Sequence, residues 1–330
     1  MGYPMELGEG ELAALLEDTL IQCLGYTAPR EVLRTRRASQ AILARVEECL
    51  PSLPTYTLDR DGTTLLHLAC GVGLSDLALR VLERRADVAL EHRYFGAPLM
   101  LAAERGHVDV ARLLLERAAN VMQAAEKTAL TPAHVAASRG HLQMLQVLLD
   151  AKADVHMPNS AGALALHCAA AKGQQQCCEL LLARLADANC SCHDGKTALH
   201  FAAFQSVLGP AEGLLNAKAE VNAADQFGHT PLVFAVREGH VDVAKLLLEQ
   251  RADVNCSSLD GAVPLHVAAE RGHAMLLRLL LSMRADVHVK GCDGLTALDI
   301  LAIEGNKDLA VLLTESGATS EFTGVPFCCT

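Results

Sequence analysis

Histidine and cysteine are the side chains of this sequence that could hold a metal ion or transfer a proton. The chain has 14 of the first and 12 of the second among its 330 residues. The best metal-ligand spacing is that of Cys190-x-Cys192-His193, which follows Cys177 and Cys178. Zinc needs four ligands that converge at about 2.0–2.3 Å. Because the sequence pattern places the first three residues in a loop and the other two in a helix, we predict no metal site.

Nine of the histidines recur at two fixed positions of a repeated pattern. A side chain that returns once per unit is expected to support the architecture, because a reaction centre needs its residues only once. The sequence also lacks a glycine-rich phosphate loop, a Gly-x-Ser-x-Gly elbow and a His-Glu-x-x-His motif. We therefore predict no catalytic residue, no cofactor and no enzymatic activity. The first position holds His67, His134, His167, His200 and His266, and the second holds His107, His141, His240 and His273.

The repeat period is 33 residues. The first histidine position and its equivalents lie at 67, 100, 134, 167, 200, 233, 266 and 299, so one step is 34 and the others are 33. Most units begin with Gly-x-Thr or a close variant, where glycine permits a turn and threonine can cap a helix. An alanine-rich segment follows, then a glycine, and then an apolar stripe that often ends in Leu-Leu-Leu. This order predicts a turn and two helices in every unit.

The motif Thr-Pro-Leu-His-x-Ala at this period resembles the ankyrin repeat. The resemblance covers residues 59–318. It implies an all-α fold, an ankyrin-repeat solenoid of eight helix-turn-helix pairs with loop or β-turn fingers that project from one edge. Each repeat would bury its apolar face against its neighbours.

The two ends of the chain lack this pattern. We predict that residues 1–58 form an N-terminal helical capping segment and that residues 319–330 form a C-terminal tail. Lipidation of Cys328 and Cys329 in that tail is left open. An alternative role for the first segment is that its arginine cluster binds phosphate or an acidic peptide. The cluster comprises Arg30, Arg34, Arg36 and Arg37.

Composition and charge narrow the class of partner. The formal charge is −11, which argues against nucleic acid, since its binders need a clustered positive surface. No apolar run is long enough to span a bilayer. The cysteines are scattered through helical segments without a signal peptide, so we expect reduced thiols in a cytoplasmic or nuclear protein. A monomer is expected.

The residue before Ala-Asp-Val is usually glycine in the ankyrin family, but only the last unit keeps it here. If this site is left-handed, each other residue costs about 1 kcal/mol. Cations near a helix C-terminus recover part of that cost through the helix dipole. The alternative is that the cations at this site in successive units form a row, a basic ladder, that binds an acidic partner. The residues are Arg85, Ala118, Lys152, Leu185, Lys218, Arg251, Arg284 and Gly317.

The fifth unit has an irregular second helix. Its sequence meets Gly209, Pro210 and Gly213, and proline in a helix interior costs about 3 kcal/mol. We predict that this unit is the least protected in hydrogen exchange and serves as a hinge.

The resemblance implies a protein-interaction scaffold or adaptor that binds a protein partner through the concave groove. Exposed aromatic residues are typical binding anchors, and a basic groove would suit an acidic peptide or helix. The alternative is that the cations pair with Glu104, Glu238 and Glu270. Two other functions stay open: a regulatory or substrate-targeting subunit, such as a ubiquitin-ligase adaptor, and a fragment of a larger protein. The predicted partner-binding residues are Tyr94, Arg105, Arg139, Lys172, Phe204, Phe227, Arg237 and Arg271.

Ankyrin-family proteins can be hydroxylated at the asparagine that follows Ala-Asp-Val. By resemblance, Asn189, Asn222 and Asn255 match that position. The alternative is that these asparagines only support the turn.

Overall fold

The computed structural model describes residues 63–93, 96–259 and 261–319. The predicted cap at residues 1–58 and most of the predicted tail at residues 319–330 lie outside them. The described residues form 16 helices and no β-strand. They are α1 (Leu65–Val72), α2 (Ser75–Glu83), α3 (Pro98–Arg105), α4 (Val108–Glu116), α5 (Pro132–Arg139), α6 (Leu142–Asp150), α7 (Ala165–Ala171), α8 (Gln175–Ala183), α9 (Ala198–Phe204), α10 (Leu208–Asn216), α11 (Pro231–Arg237), α12 (Val241–Glu249), α13 (Pro264–Glu270), α14 (Ala274–Ser282), α15 (Ala297–Ile303) and α16 (Lys307–Glu315).

Helix boundaries follow the local sequence signals. Thr64 caps α1 with its side chain, and His67 completes a reciprocal capping box. Proline is the first residue of α3, α11 and α13, where its missing N–H leaves no helical hydrogen bond unmade. Gly73 ends α1 in the left-handed conformation, with φ of 77°. The predicted turn and two helices are therefore confirmed.

The chain divides into two compact units, one of Met1–Ala136 with Gln143–Ala153 and one of Ala137–Leu142 with Asp154–Thr330. In the first unit, α1 packs on α2 and α3, and α3 packs on α4. In the second unit, the first helices of successive pairs form one row from α7 through α9, α11 and α13 to α15. The second helices form another row from α8 through α10 and α12 to α14. Within this unit each helix pair therefore packs on its sequence neighbours, as the repeat pattern predicts.

The core of each unit is built from leucine and alanine. Leu199 and Leu232 are fully buried in the first-helix row of the second unit, and Leu247 is fully buried in α12. Burying a leucine side chain stabilises a fold by about 1.5–3 kcal/mol. Ala202 and Ala235, both fully buried, take up little space between neighbouring helices. The all-α repeat solenoid is confirmed, whereas the count of eight repeats and the domain limits remain predictions.

The residue before each Ala-Asp-Val segment adopts the left-handed conformation that the family pattern predicts. Its φ is 67° at Leu185, 64° at Lys218, 65° at Arg251 and 63° at Arg284. All four of these residues are exposed. The conformational cost is thus present in the fold, and both explanations for the cations, dipole compensation and a basic ladder, remain predictions.

The fifth unit forms its second helix despite the irregular sequence. α10 spans Leu208–Asn216, nine residues like the other second helices, and Pro210 is its third residue. Proline is tolerated there because the N–H groups of the first turn have no helical acceptor. The prediction of low hydrogen-exchange protection is untested.

Candidate protein-binding surface

The first histidine position is part of the helix-capping architecture. The backbone N–H of Thr197 donates to Nδ1 of His200 at 3.0 Å, and Nε2 of His200 bonds the carbonyl oxygen of His229 at 3.0 Å. The ring thus joins the start of α9 to the next hairpin. Because burial disfavours the charged imidazolium, the pKa of His200 is lowered to about 4. His67 makes the equivalent bond to the carbonyl oxygen 29 residues onward, whereas His167 and His266 bond carbonyl oxygens 23 residues onward.

Three units replace this histidine, with Met100, Val233 and Asp299. Asp299 is buried and accepts hydrogen bonds from the backbone N–H and the hydroxyl of Thr296. Val233 cannot accept a hydrogen bond, and the hydroxyl of Thr230 instead lies 3.1 Å from the sulfur of Cys256. The unit that begins with Thr230 thus lacks the capping histidine that the units on both sides contain, as His200 and His266.

A continuous row of aromatic rings runs from the end of α9 to α11. The ring of Phe234 in α11 lies 6.4 Å from that of Phe204 and 6.0 Å from that of His229, measured between centroids. The ring of Phe227 lies 6.0 Å from that of His229. The edge-to-face contacts at Phe234 are a favoured aromatic geometry. The row joins the end of α9, the hairpin before α11 and α11 itself.

The ends of this row are exposed. Phe204 is 44% accessible and Phe227 is 53% accessible, whereas Phe234 is buried at 8%. The backbone N–H of Leu259 donates to the carbonyl oxygen of Phe227, and Leu259 itself is 79% accessible on the neighbouring hairpin. Apolar side chains are therefore clustered on the hairpin side of α9 and α11.

Two cationic side chains lie against the ring of Phe234, which is the buried member of the aromatic row. The ammonium of Lys196 and the guanidinium carbon of Arg237 each lie 5.6 Å from the centroid of Phe234, within range of a cation–π interaction. Arg237 also donates from Nη2 to Nε2 of His229 at 3.0 Å. Lys196 lies 3.6 Å from the carboxylate of Asp194. We call the six residues Phe204, Phe227, His229, Phe234, Lys196 and Arg237 the aromatic–basic surface.

The buried carboxylate of Asp225 lies next to the aromatic–basic surface. Oδ1 of Asp225 accepts hydrogen bonds from the backbone N–H groups of Phe227 and His229, both at 2.9 Å, and so fixes the hairpin. Nδ1 of His229 lies 3.6 Å from this oxygen. Oδ2 of Asp225 is buried and accepts no hydrogen bond within the described residues.

The structure brings together three of the predicted binding residues: Phe204, Phe227 and Arg237. Lys172 and Arg271 are exposed at the C-terminal ends of α7 and α13, one position further along the repeat than Arg237 and outside the aromatic row.

The other three predicted residues fall elsewhere. Arg105 ends α3 in the first unit, with a buried Nε that makes no hydrogen bond among the described residues. Arg139 ends α5 and is exposed. Tyr94 lies outside the described residues.

The alternative of local ion pairs is not supported for Arg237 and Arg271. Across the described residues, no ion pair forms between Arg237 and Glu238 or between Arg271 and Glu270. Arg237 is bound to His229 instead.

Sequence reasoning missed Lys196, Asp225, His229 and Phe234. Two sequence signals could have identified His229 and Phe234. His229 belongs to neither recurrent histidine position, and Phe234 with Phe201 places phenylalanine at one register of adjacent units in a chain with only 3% aromatic residues. The contacts among these side chains, however, depend on how the second unit packs.

The three predicted hydroxylation residues join successive hairpins. Oδ1 of Asn189 accepts from the backbone N–H of Glu220 at 2.7 Å. Asn222 and Asn255 make the same bond to the residue 31 positions onward, at 2.8 and 2.9 Å. The turn-supporting role is therefore observed, and hydroxylation remains a prediction.

Four of the eight described cysteines are buried, and Cys292 is exposed. Cys177 and Cys178 are buried in α8, and burial raises their thiol pKa values to about 11 and 12, so they are poor nucleophiles. No group of three metal-binding side chains occurs in the described part of the chain. None of the helices described is both long and apolar enough to cross a membrane.

Comparison with known proteins agrees with the repeat architecture. The family model described as ankyrin repeats (3 copies) matches residues 40–125, 99–190, 184–258 and 250–322. No curated protein matches the chain. Ankyrin repeats are generally protein–protein interaction modules. The matches cover most of the sequence, and the chain therefore belongs to the ankyrin-repeat family.

Proposed function

We propose that this protein is an interaction scaffold or adaptor whose second unit binds an acidic peptide or helix of a protein partner through the aromatic–basic surface. The supporting observation is that Phe204 and Phe227, both about half exposed, flank a ring that carries Lys196 and Arg237. Lys172 and Arg271 add exposed cations at the C-terminal ends of the first helices α7 and α13. In this proposal the protein binds its partner and catalyses no reaction.

Physical arguments favour binding at this location. Exposed phenylalanine leaves apolar area in contact with water, and a partner that covers it regains the hydrophobic contribution. Aromatic and arginine side chains near the centre of an interface contribute most of its binding energy. Because Arg237 is held by His229 and Phe234, less side-chain entropy is lost when a carboxylate binds it.

A binding assay with defined peptides tests the proposal. The probe is a fluorescent 15-residue peptide of glutamates with a Phe-x-x-Leu centre, titrated into the full chain. Phe204→Ala, Phe227→Ala and Arg237→Gln should each weaken binding by about tenfold, the usual loss for an interface anchor. Thermal unfolding should change little, since the two phenylalanines are exposed.

The matched controls change similar side chains on other parts of the second unit. Met275→Ala and Ile303→Ala remove exposed apolar groups, and Arg278→Gln removes an exposed cation. These variants should bind the probe as the parent chain does. If the controls weaken binding as much as the anchors do, or if the probe does not bind, this surface is not the binding site.

The same surface is compatible with a regulatory or substrate-targeting subunit of an enzyme complex, such as a ubiquitin-ligase adaptor, and with a segment of a longer protein. Cross-linking from the surface, followed by identification of the bound chains, separates these roles. We also propose that the protein is a monomer and works in the cytoplasm or nucleus. The absence of disulfides among the described cysteines supports this location.

A further inference from the structure

The hydrogen bond between Arg237 and His229 fixes where the imidazole carries its proton. An arginine side chain can only donate, so Nε2 of His229 must be the unprotonated, accepting nitrogen at 3.0 Å. The ring proton of neutral His229 is therefore on Nδ1, which faces Asp225 at 3.6 Å. His200 differs, because its Nε2 faces a carbonyl oxygen and must donate.

A second proton on His229 would change this contact in a defined way. With both ring nitrogens protonated, Nε2 can no longer accept from Arg237, and two N–H donors then lie side by side without an acceptor. A carboxylate has two oxygens and accepts from two such donors at once. The protonated ring would also place a full positive charge beside the buried carboxylate of Asp225, whose Oδ2 has no hydrogen-bond partner among the described residues.

The charged groups around His229 come from several elements. Asp225 precedes it in the same hairpin, and Arg237 belongs to α11. His200 of α9 donates to its backbone carbonyl, and burial lowers the pKa of His200, which keeps that ring neutral near pH 7. Lys196 and Asp194 pair on the preceding hairpin.

Histidines of the second helices also approach the surface. Nε2 of His240 bonds the carbonyl of Phe204, and Nε2 of His273 bonds that of Arg237. Each engages a backbone oxygen rather than the guanidinium. His229 is thus the titratable group whose protonation state decides whether the Nη2 donor of Arg237 is already occupied.

We propose that His229 is a specificity-determining residue of this surface, which takes up a proton when a carboxylate of the partner binds between its Nε2 and the guanidinium of Arg237. This inference rests on the proposed function. The partner's carboxylate replaces Nε2 as the acceptor for Arg237, and Nε2–H of His229 becomes its second donor. The proton comes from solvent, and no covalent bond changes. Because a proton is taken up, binding of an acidic segment strengthens as pH falls.

The test measures the affinity of the full chain for the glutamate-rich Phe-x-x-Leu probe at pH 8, 7 and 6. Glutamate stays ionised over this range, so the probe itself does not titrate. The Kd should fall by about tenfold from pH 8 to pH 6, because the complex holds a proton that the free protein lacks. Calorimetry in two buffers of different ionisation enthalpy should show proton uptake on binding at pH 7.

His229→Gln is the informative variant, because the glutamine carbonyl can still accept from Arg237 but cannot take up a proton. It should bind the probe with a flat pH profile and without proton uptake. His240→Gln is the neighbouring control and should retain both the profile and the uptake. Replacing the glutamates of the probe with glutamine should abolish the pH dependence in the parent chain.

Each outcome decides a different statement. Probe binding that depends on Phe204 and Phe227 but is independent of pH would overturn the role of His229 and leave the proposed function intact. A pH dependence that persists in His229→Gln would also overturn it. Absence of probe binding at every pH would remove the proposed function together with this inference.

Discussion

The buried Thr–His pairs and the aromatic–basic surface are close together in the second unit, yet their histidines have opposite roles. His200 is buried, donates from Nε2 to a backbone oxygen and is kept neutral by burial. His229 is only partly buried, accepts at Nε2 from a guanidinium and faces a carboxylate with its other nitrogen. The carbonyl of His229 is itself the acceptor for His200. The structural histidine therefore holds the hairpin that presents the other one.

The difference shows how to separate architecture from function in a repeat protein. The capping contact recurs in unit after unit, with Asp299 able to replace histidine because it also accepts from the capping threonine. The contacts of Phe234 with Lys196 and Arg237 belong to one place in the second unit. Side chains that repeat stabilise the stack, whereas side chains that depart from the repeat at a surface are the candidates for recognition.

The largest expected effect is on stability, from His200→Ala. The change leaves the N–H and hydroxyl of Thr197 without a partner, removes one of the two hydrogen bonds to the carbonyl of His229 and opens a cavity, for a loss of about 3 kcal/mol in the free energy of unfolding. Urea denaturation measures it. His229→Gln should cost less than about 1 kcal/mol, since its ring is partly exposed. Equal losses from the two variants would remove the distinction between the two histidines.

Acid should destabilise the fold through the same buried rings. The folded-state pKa of His200 is about 4, below the ordinary 6.5, and burial lowers that of His266 as well. The unfolded chain therefore binds these protons first, so stability is full above pH 6.5 and is lost as pH falls toward 4. The loss from His200 alone approaches about 3 kcal/mol. Denaturation at pH 7, 6, 5 and 4 measures the slope, which His200→Ala should reduce.

The irregular fifth unit allows a stabilising change of about 0.5–1 kcal/mol, Gly213→Ala. A Cβ at this position of α10 meets only Cγ of Glu179, at 4.0 Å, so the gain in helix propensity carries no clash. Hydrogen exchange should show α10 as the least protected helix of the second unit, and the variant should slow its exchange. The matched control is Gly209→Ala, whose Cβ would collide with the side chain of Gln175 and which should bring no gain. Uniform protection from α8 to α12 would contradict the expectation.

A comparable gain is expected from glycine at the left-handed helix ends. Leu185→Gly should raise stability by about 1 kcal/mol, because it relieves a positive φ and removes no charge from the helix end. Lys218→Gly should gain less, by about 0.3–1 kcal/mol, since it also removes a favourable charge. Thermal unfolding at low and high salt measures both. If probe binding drops in Lys218→Gly while stability rises, the basic ladder is the better explanation.

Asparagine hydroxylation should have the smallest effect on the fold. A hydroxyl on the β-carbon leaves the amide oxygen of Asn222 free to accept from Asp253. Mass spectrometry of native protein should find one added oxygen on peptides that contain Asn189, Asn222 or Asn255. Native peptides without the added oxygen at all three residues would end this hypothesis.

Several features of the candidate site were predictable from the sequence. The spacing of 33 residues placed Phe204 and Arg237 at one register of the first helices and Phe227 in a projecting hairpin, both of which were predicted to be exposed, and the structure brings these three together. Their connection through His229 and Phe234 was not predictable, because a ring-to-ring contact depends on how one hairpin lies against the next helix. Lys172 and Arg271 lie one position further along the repeat, outside this row.

The sequence by itself determined the repeat unit: its period, its helix starts at capping threonine or proline, its glycine turns and its leucine–alanine core. These signals are local, and each follows from the conformational preference of a residue and its neighbours. Only the tertiary structure determined which of the non-recurring side chains contact one another. Asp225, His229 and Arg237 come together because the hairpin at 225–230 folds back over α11. The hydrogen bonds among them depend on distances that cannot be read from the sequence.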